Sequence, residues 1–245
     1  MSPAEPPAGP GNLQQIPSWL RIVKTFSSPA EAFTDIARAP HFILCLTIEI
    51  LTAAFAGWYA VHRIGAMNML VKSLQAVHMA QSVPPAQLAH QAAMMSKLAP
   101  VQAAFGIALL WVVLAAIMLG AENFGLGQQA NYKQMLGITA HGMLPLTLLG
   151  WLSALVLMTS AHPAELDPQN LVGSNLGFYL SQHAALWLRV LGGRIDLFSF
   201  WVIGLLALGL QKAGTRVKYS SAFMIVLFLW AVFVLAATGL AALRS

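Results

Sequence analysis

The chain has 245 residues, of which 58% are hydrophobic and only 9% are charged. A soluble globular domain carries about 25% charged residues, so this composition excludes a soluble protein and predicts an integral membrane protein. The net charge of +5 fits anionic lipid headgroups and insertion topology better than nucleic acid, which we do not expect as a partner.

Two kinds of segment precede the first long apolar run. Residues 1–12 are rich in Pro, Gly and Ala and are predicted to be a disordered N-terminal tail. Residues 13–40 are predicted to form amphipathic interfacial helices, because apolar residues recur at helical spacing with Arg21 and Lys24 on other faces. The alternative is a helix packed on the cytoplasmic end of the bundle. Ser28 and Pro29 indicate the start of a second short helix that ends near Arg38.

Five apolar segments follow and predict a bundle of five transmembrane helices within residues 41–243. The predicted spans are 41–61, 101–120, 137–160, 196–211 and 221–243. Four of them reach the roughly 20 residues that a bilayer requires. The fourth is shorter, at roughly 24 Å. The loop at 62–100 is predicted to hold two amphipathic helices separated by Pro84 and Pro85.

The distribution of basic residues predicts the orientation of the bundle. Lys212, Arg216 and Lys218 crowd one short loop, and cytoplasmic loops carry an excess of such residues. We therefore expect a multi-pass membrane protein with a cytoplasmic N-terminus. An odd number of spans places the C-terminus on the opposite side.

Three polar residues form a candidate intramembrane site. Glu49 lies within the first predicted span, where a carboxyl group must be neutral or paired, and it is either an ion-coupling group or a structural hydrogen-bonding group. Glu122 and His141 are both expected near the inner face, where they could meet as a proton-shuttling pair. The alternative is that they anchor a loop together with Asn123 and Tyr132. Pro145 predicts a break in the third span close to His141.

A second cluster, formed by Arg189, Arg194 and Asp196, stands at the start of the fourth apolar segment. Asp196 precedes an apolar run and is predicted to cap that helix. Arg194 is expected to reach lipid headgroups or to pair with a carboxylate on another helix. We interpret this cluster as a structural helix-end motif.

The sequence contains no spacing of His or Cys that is typical of a metal site, no phosphate-binding loop and no nucleophile–base arrangement. We therefore predict no catalytic residues, no cofactor and no metal, and hence a protein that is not an enzyme. The expected partners are membrane lipids, with a homo-oligomer or another membrane protein left open.

Several motifs resemble those of one known family. They lie at residues 26–33, 82–88, 125–136, 139–145, 194–201 and 207–210, and the strongest are DLFSFW from Asp196 and YKQML from Tyr132. They resemble the Yip family of Ypt/Rab-interacting membrane proteins, in its bacterial branch. The resemblance implies five spans, a cytoplasmic N-terminus and no enzymatic activity, and its bacterial branch implies location in the bacterial inner membrane. Eukaryotic relatives are tied to Rab GTPases and vesicle traffic.

Three functions remain as hypotheses. The first is a non-enzymatic protein with a scaffolding, membrane-organising or trafficking-like role. The second is a small transporter or channel that uses Glu49 with His141 and Glu122. The third is a lipid-acting enzyme built on Asp196, Arg194 and Arg189, which lacks a nucleophile or a metal set. The environment of Glu49 discriminates between the first two, because a packed interior favours the first and a continuous polar cavity favours the second.

Overall fold

The computed structural model describes residues 15–76, 83–181 and 184–243. Within these ranges the chain is all-α, with an isolated β-bridge between Asn175 and Asp196. The helices are α1 (Ser18–Ser27), α2 (Pro29–Arg38), α3 (Ile43–Ile64), α4 (Ala66–Ala76), α5 (Pro85–Gly120), α6 (Tyr132–Gly142), α7 (Leu144–Thr159), α8 (Leu186–Arg194), α9 (Leu197–Ala213) and α10 (Tyr219–Ala242). The tail predicted at 1–12 lies outside the described residues.

Four helical stretches are long and apolar enough to cross a membrane. They are Ile43–Ile64, Pro85–Gly125, Tyr132–Thr159 and Tyr219–Ala242. The predicted class of an all-α polytopic membrane protein is thereby confirmed. The remaining predicted span corresponds to α9, which has 17 residues and is shorter. The count of five spans therefore stays a prediction.

The second predicted span differs from the structure at its beginning. We expected a separate helix before Pro100 and a new one after it, but α5 runs without interruption from Pro85 to Gly120. Gly57 on α3 approaches Ala99 and Ala103 so closely that a Cβ atom at Gly57 would lie 2.9–3.0 Å from them. This packing holds α5 continuous, as proline inside a membrane helix is tolerated where neighbouring helices compensate.

The third span is interrupted, as Pro145 predicts. Met143 separates α6 from α7, and Pro145 lies in the first turn of α7. Proline has no backbone N–H with which to bond the carbonyl of residue 141, four positions earlier. The two helices nevertheless form one apolar stretch of 28 residues.

The first two helices form a hairpin, which we call the N-terminal hairpin (residues 18–38), against the side of α9. Phe26 contacts Trp201, with ring centroids 5.5 Å apart, and Phe33 packs where Gly209 leaves room for it. These two points on α9 are eight residues, or about 12 Å, apart along the helix. The predicted helices within 13–40 are therefore present, and they pack along the bundle instead of only across its end.

Helix α9 lies at the centre of the core. Its buried side chains include Ile203, Leu206 and Leu210, and the helix packs against α2, α6, α7 and α10. At the end of the bundle where α3 finishes, Arg63 donates to the carbonyls of Leu157 and Ser160, each at 3.0 Å. This end also holds α4 and the loop from residue 160 to 185, part of which is described.

Candidate functional site

Glu49 occupies a packed interior, two turns into α3. Its side chain is only 2% exposed, and its Oε2 atom accepts a hydrogen bond of 2.9 Å from Nε1 of Trp111 on α5. Trp111 is itself 1% exposed. Helix α3 begins at Ile43, so Glu49 lies about 9 Å from the start of the helix. The carboxyl group therefore joins two helices within the core.

The second carboxyl oxygen of Glu49 is less well hydrogen-bonded than the first. Oε1 is buried and accepts no hydrogen bond of normal geometry, although Thr147 on α7 lies close to the carboxyl group. The environment of Glu49 thus combines residues from α3, α5 and α7. Such a group fits a structural contact between three helices better than the wall of an aqueous path.

Glu122 lies elsewhere, in a π-helical turn (Ala121–Gly125) that extends α5. Its side chain is fully buried, and neither carboxylate oxygen has a hydrogen-bond partner within the described chain. A Cβ atom at Gly214 would lie 2.9 Å from Oε1, so the carboxylate faces the loop that joins α9 to α10. Gln128 stabilises the same loop, because its Oε1 atom accepts a 3.0 Å hydrogen bond from the backbone amide of Thr215.

His141 is buried near the end of α6. Its Nδ1 atom is hydrogen-bonded to the carbonyl of Gly137, one turn earlier, at 2.9 Å. No hydrogen bond or ion pair among the described residues joins His141 to Glu122. The acid–imidazole pair, one of the two alternatives for these residues, is therefore not present among the described residues. The reason is that α6 begins at Tyr132, which places His141 about 14 Å along the helix instead of at its start.

Neighbouring polar residues anchor the loop that precedes α6. Asn123 accepts from the amide of Ala130 at 2.7 Å and donates to its carbonyl at 3.1 Å. The hydroxyl of Tyr132 donates to the carbonyl of Val112 at 3.0 Å. Loop anchoring is thus carried by Asn123 and Tyr132, while the side chains of Glu122 and His141 take no part in it.

The second candidate cluster divides into separate contacts. Asp196 is the N-cap of α9: its Oδ1 accepts from the amides of Phe198 and Ser199, at 2.7 and 3.4 Å, and its Oδ2 accepts from the hydroxyl of Ser174 at 2.6 Å. The capping position predicted from the sequence is seen in the structure. Neither arginine forms an ion pair with Asp196 within the described chain.

The two arginines have other neighbours. Arg189 forms an ion pair of 3.3 Å with Asp167. The guanidinium of Arg194 lies over the ring of Phe233 on α10, 4.9 Å from its centroid. Such a contact stabilises a cation that stands at an apolar helix surface. The three residues therefore do not converge on one reactive centre.

Comparison with protein families identifies the family of this chain. A family model described as the Yip1 domain matches residues 23–240. The chain belongs to the Yip1 family. No curated protein and no solved structure gives a match. The matched region of this Yip1 domain includes both candidate clusters and all but the beginning of the N-terminal hairpin.

Sequence reasoning missed two buried contacts of the Yip1 domain. Arg21 was expected on a polar outer face, but it is 0% exposed and its Nε lies 2.6 Å from Oδ2 of Asp35. Its NH1 atom also donates to the carbonyl of Ala39 at 2.8 Å. The second contact is that of Trp111 with Glu49, for which the sequence analysis had no prediction. An indole N–H inside an apolar run is the only signal that could have indicated it.

Among the described residues of the Yip1 domain, no three His, Cys, Asp or Glu side chains lie together as a metal site would require. Cys45 is buried beside Ala140 and Leu144. The arrangement can therefore join helices and hold loops, and its unpaired charges lie at the two ends of the bundle.

Proposed function

We propose that this Yip1-family protein is a non-enzymatic membrane-organising protein that acts through its N-terminal hairpin. The observation that carries this proposal is the orientation of α1. Its Trp19 and Val23 side chains are 62% and 51% exposed, whereas its Arg21 is completely buried. A helix that turns apolar residues outward and a charged residue inward is suited to lipid on its outer side.

The hairpin is held in this orientation by its own charges. Arg21 pairs with Asp35, and Lys24 pairs with Glu31, so each helix of the hairpin contributes one partner to each pair. The backbone amide of Ile16 also donates to Oδ1 of Asp35, at 3.4 Å. These contacts fix α1 on α2, while α2 packs on α9. The outward apolar residues are thereby presented on a rigid support.

A hairpin of this kind enters only one leaflet. An apolar helix face buried at the boundary between headgroups and acyl chains expands that leaflet relative to the other, and such binding is sensitive to curvature and lipid composition. We place the hairpin in the cytoplasmic leaflet of a bacterial inner membrane. Arg216 and Lys218, which are exposed in the loop between α9 and α10, suit anionic headgroups on that side.

The transporter alternative has less support. It requires Glu49, Glu122 and His141 to face a common polar cavity, but Glu49 is hydrogen-bonded to Trp111 in a packed interior and the other two residues are apart. The lipid-acting enzyme has less support still, because Asp196 is occupied as a helix cap. The partners we propose are therefore lipids, together with a second copy of the chain or another membrane protein.

The test is to reconstitute the full chain into vesicles at a fixed protein-to-lipid ratio and to measure vesicle diameter by electron cryomicroscopy. We expect the wild type to shift the distribution toward smaller diameters. The double variant Trp19→Ser/Val23→Ser is expected to lose this shift. The matched control, Met224→Ser/Phe228→Ser, removes similarly exposed apolar residues from α10 and is expected to retain it.

Two results would contradict the proposal. One is an equal loss of remodelling in both double variants, which would show that α1 has no special role. The other is a proton flux into the same vesicles, measured with an enclosed pH-sensitive dye, that exceeds the protein-free leak and disappears in Glu49→Gln. That second result would establish the transporter alternative.

A further inference from the structure

A cavity of about 320 Å³ opens at the end of the bundle where α10 finishes, and the proposed function makes no use of it. It lies between α4, α8, the last turns of α10 and the loop between α7 and α8 at Gln169 and Asn170. One liquid water occupies about 30 Å³, so the cavity has room for about ten waters. That volume holds a small polar headgroup but not a whole lipid.

The walls of the cavity are chemically divided. One side carries polar groups, including Arg189, Arg194 and Asn170, while α10 supplies an apolar side with Ala237 and Leu240. The apolar side continues onto the outward face of α10, where Leu240 is exposed. A ligand that fills this cavity therefore needs a polar head and an apolar tail.

The polar side favours an anion. Arg189 is partly neutralised by Asp167, whereas Arg194 makes no ion pair or hydrogen bond with any described residue. Two guanidinium groups and one carboxylate leave one net positive charge at the cavity. Guanidinium groups bind phosphate oxygens through paired N–H donors, so one phosphate oxyanion of charge −1 matches the site.

Asp167 also shapes the wall. Its Oδ1 accepts from the amide of Gln169 at 3.0 Å, and its Oδ2 accepts from the side-chain amide of Asn170 at 2.9 Å. These bonds hold the loop in a fixed turn against Arg189. The contact of Arg194 with Phe233 likewise limits where that guanidinium can lie. The donors are therefore positioned by the protein and do not depend on a ligand for their arrangement.

We infer that this cavity binds the phosphodiester headgroup of an anionic phospholipid from the adjacent leaflet, with Arg194 and Arg189 as donors and the acyl chains lying along the end of α10. The site is distinct from the surface of the N-terminal hairpin, which lies toward the other end of the bundle. It would make the protein selective for lipid charge in the leaflet opposite to the hairpin.

The experiment is native mass spectrometry of the detergent-purified full chain with phosphatidylglycerol or phosphatidylcholine of identical acyl chains. We expect the apparent Kd for phosphatidylglycerol to be on the order of tenfold lower, which is the effect of about one charge-assisted hydrogen bond. Arg194→Gln is expected to remove this preference. Lys133→Gln is the matched control, because it removes one positive charge from an exposed residue at the start of α6, toward the opposite end of the bundle, to which no lipid contact is assigned.

A second pair of variants tests the shape of the site without changing charge. Ala237→Phe places a ring in the cavity and is expected to weaken phosphatidylglycerol binding, whereas Ala236→Phe, on the exposed surface one residue away, is expected to leave it unchanged. Each variant is compared at equal helix content by circular dichroism and with a single size-exclusion peak. This comparison separates loss of the site from loss of the fold.

Three outcomes would overturn the inference. Equal losses in Arg194→Gln and Lys133→Gln would mean that lipid charge is sensed by the whole surface. Equal effects of Ala237→Phe and Ala236→Phe would mean that the cavity is not the site. Displacement of phosphatidylglycerol by millimolar inorganic phosphate would mean that the oxyanion comes from solution and that the lipid tail contributes nothing.

Discussion

The hydrogen bond between Glu49 and Trp111 gives the sharpest quantitative prediction. Both side chains are almost completely buried, and the 2.9 Å bond is the only hydrogen bond of normal geometry that the carboxylate accepts from the described residues. Trp111→Phe would leave both carboxylate oxygens without a donor. A buried polar group that loses its partner costs about 1–3 kcal/mol, so we expect a decrease of that size in the free energy of unfolding.

A double-mutant cycle separates this bond from the packing of the two side chains. Glu49→Met keeps the length of the side chain but removes the acceptor, and it is combined with Trp111→Phe. Hydrogen bonds between membrane helices have coupling energies of about 0.6 kcal/mol on average and about 1.7 at most. We expect a coupling in the upper part of that range, because the bond is short and fully enclosed. Unfolding in mixed micelles, followed by far-UV circular dichroism, provides the measurement.

Glu49→Gln is the conservative control. Glutamine presents an oxygen to Trp111 in the same position, so we expect a change of less than about 1 kcal/mol. When two residues do not interact, the destabilisation of the double variant equals the sum of the two single variants within about 0.3–0.5 kcal/mol. Such additivity here would refute the reasoning. It would equally be refuted if Glu49→Gln were as destabilising as Glu49→Met.

Three further predictions concern packing, charge and capping. A Cβ atom at Gly209 would collide with side chains of α2 and α6, so Gly209→Ala is expected to lower the free energy of unfolding by about 1–3 kcal/mol. A Cβ atom at Gly239 meets open space, so Gly239→Ala is expected to raise it by up to about 1 kcal/mol, and thermal unfolding distinguishes the two variants. Arg21→Gln removes the cation that pairs with the partly buried Asp35 and is expected to increase hydrogen exchange throughout α1. Lys24→Gln, in a more exposed pair, is expected to change it little, and equal exchange in both variants would contradict the role of the Arg21 pair. Asp196→Ala is expected to lower the free energy of unfolding by about 1 kcal/mol, and Asp196→Asn by less, because asparagine still caps the helix. Equal losses in the two variants would exclude capping as the cause.

The features that the sequence predicts well depend on local physics. An apolar run of about 20 residues has few alternatives to a membrane helix, and the structure contains such helices at α3 and α10. A carboxylate directly before an apolar run is typical of a helix start, and Asp196 occupies that position. Pro145 prevents a backbone hydrogen bond wherever the helix lies, so the break beside it was predictable without tertiary information.

The features that the sequence does not predict depend on packing between residues that are far apart along the chain. Pro100 alone indicates a helix boundary, yet α3 holds α5 continuous through the close approach at Gly57. Glu49 and Trp111 are 62 positions apart, and neither residue type indicates the other. The pairing of Glu122 with His141, one of two interpretations of the sequence, is not present among the described residues. Helix α6 starts five residues before the predicted third span, which places His141 about 8 Å further along the helix.

The distribution of satisfied and unsatisfied charges indicates where this Yip1-family protein acts. Two charged residues within the packed bundle have structural partners: Glu49 has Trp111, and Arg21 has Asp35. Two other charged groups make no hydrogen bond or ion pair with the described residues, namely the buried Glu122 carboxylate beneath the loop between α9 and α10 and the Arg194 guanidinium beside Phe233 of α10. Both lie toward ends of the bundle, where helices meet headgroups and water. A transporter needs unsatisfied groups along a continuous path through its middle, whereas a protein that organises lipids needs them at its two boundaries, so the positions of these two groups support the lipid-organising function that we propose.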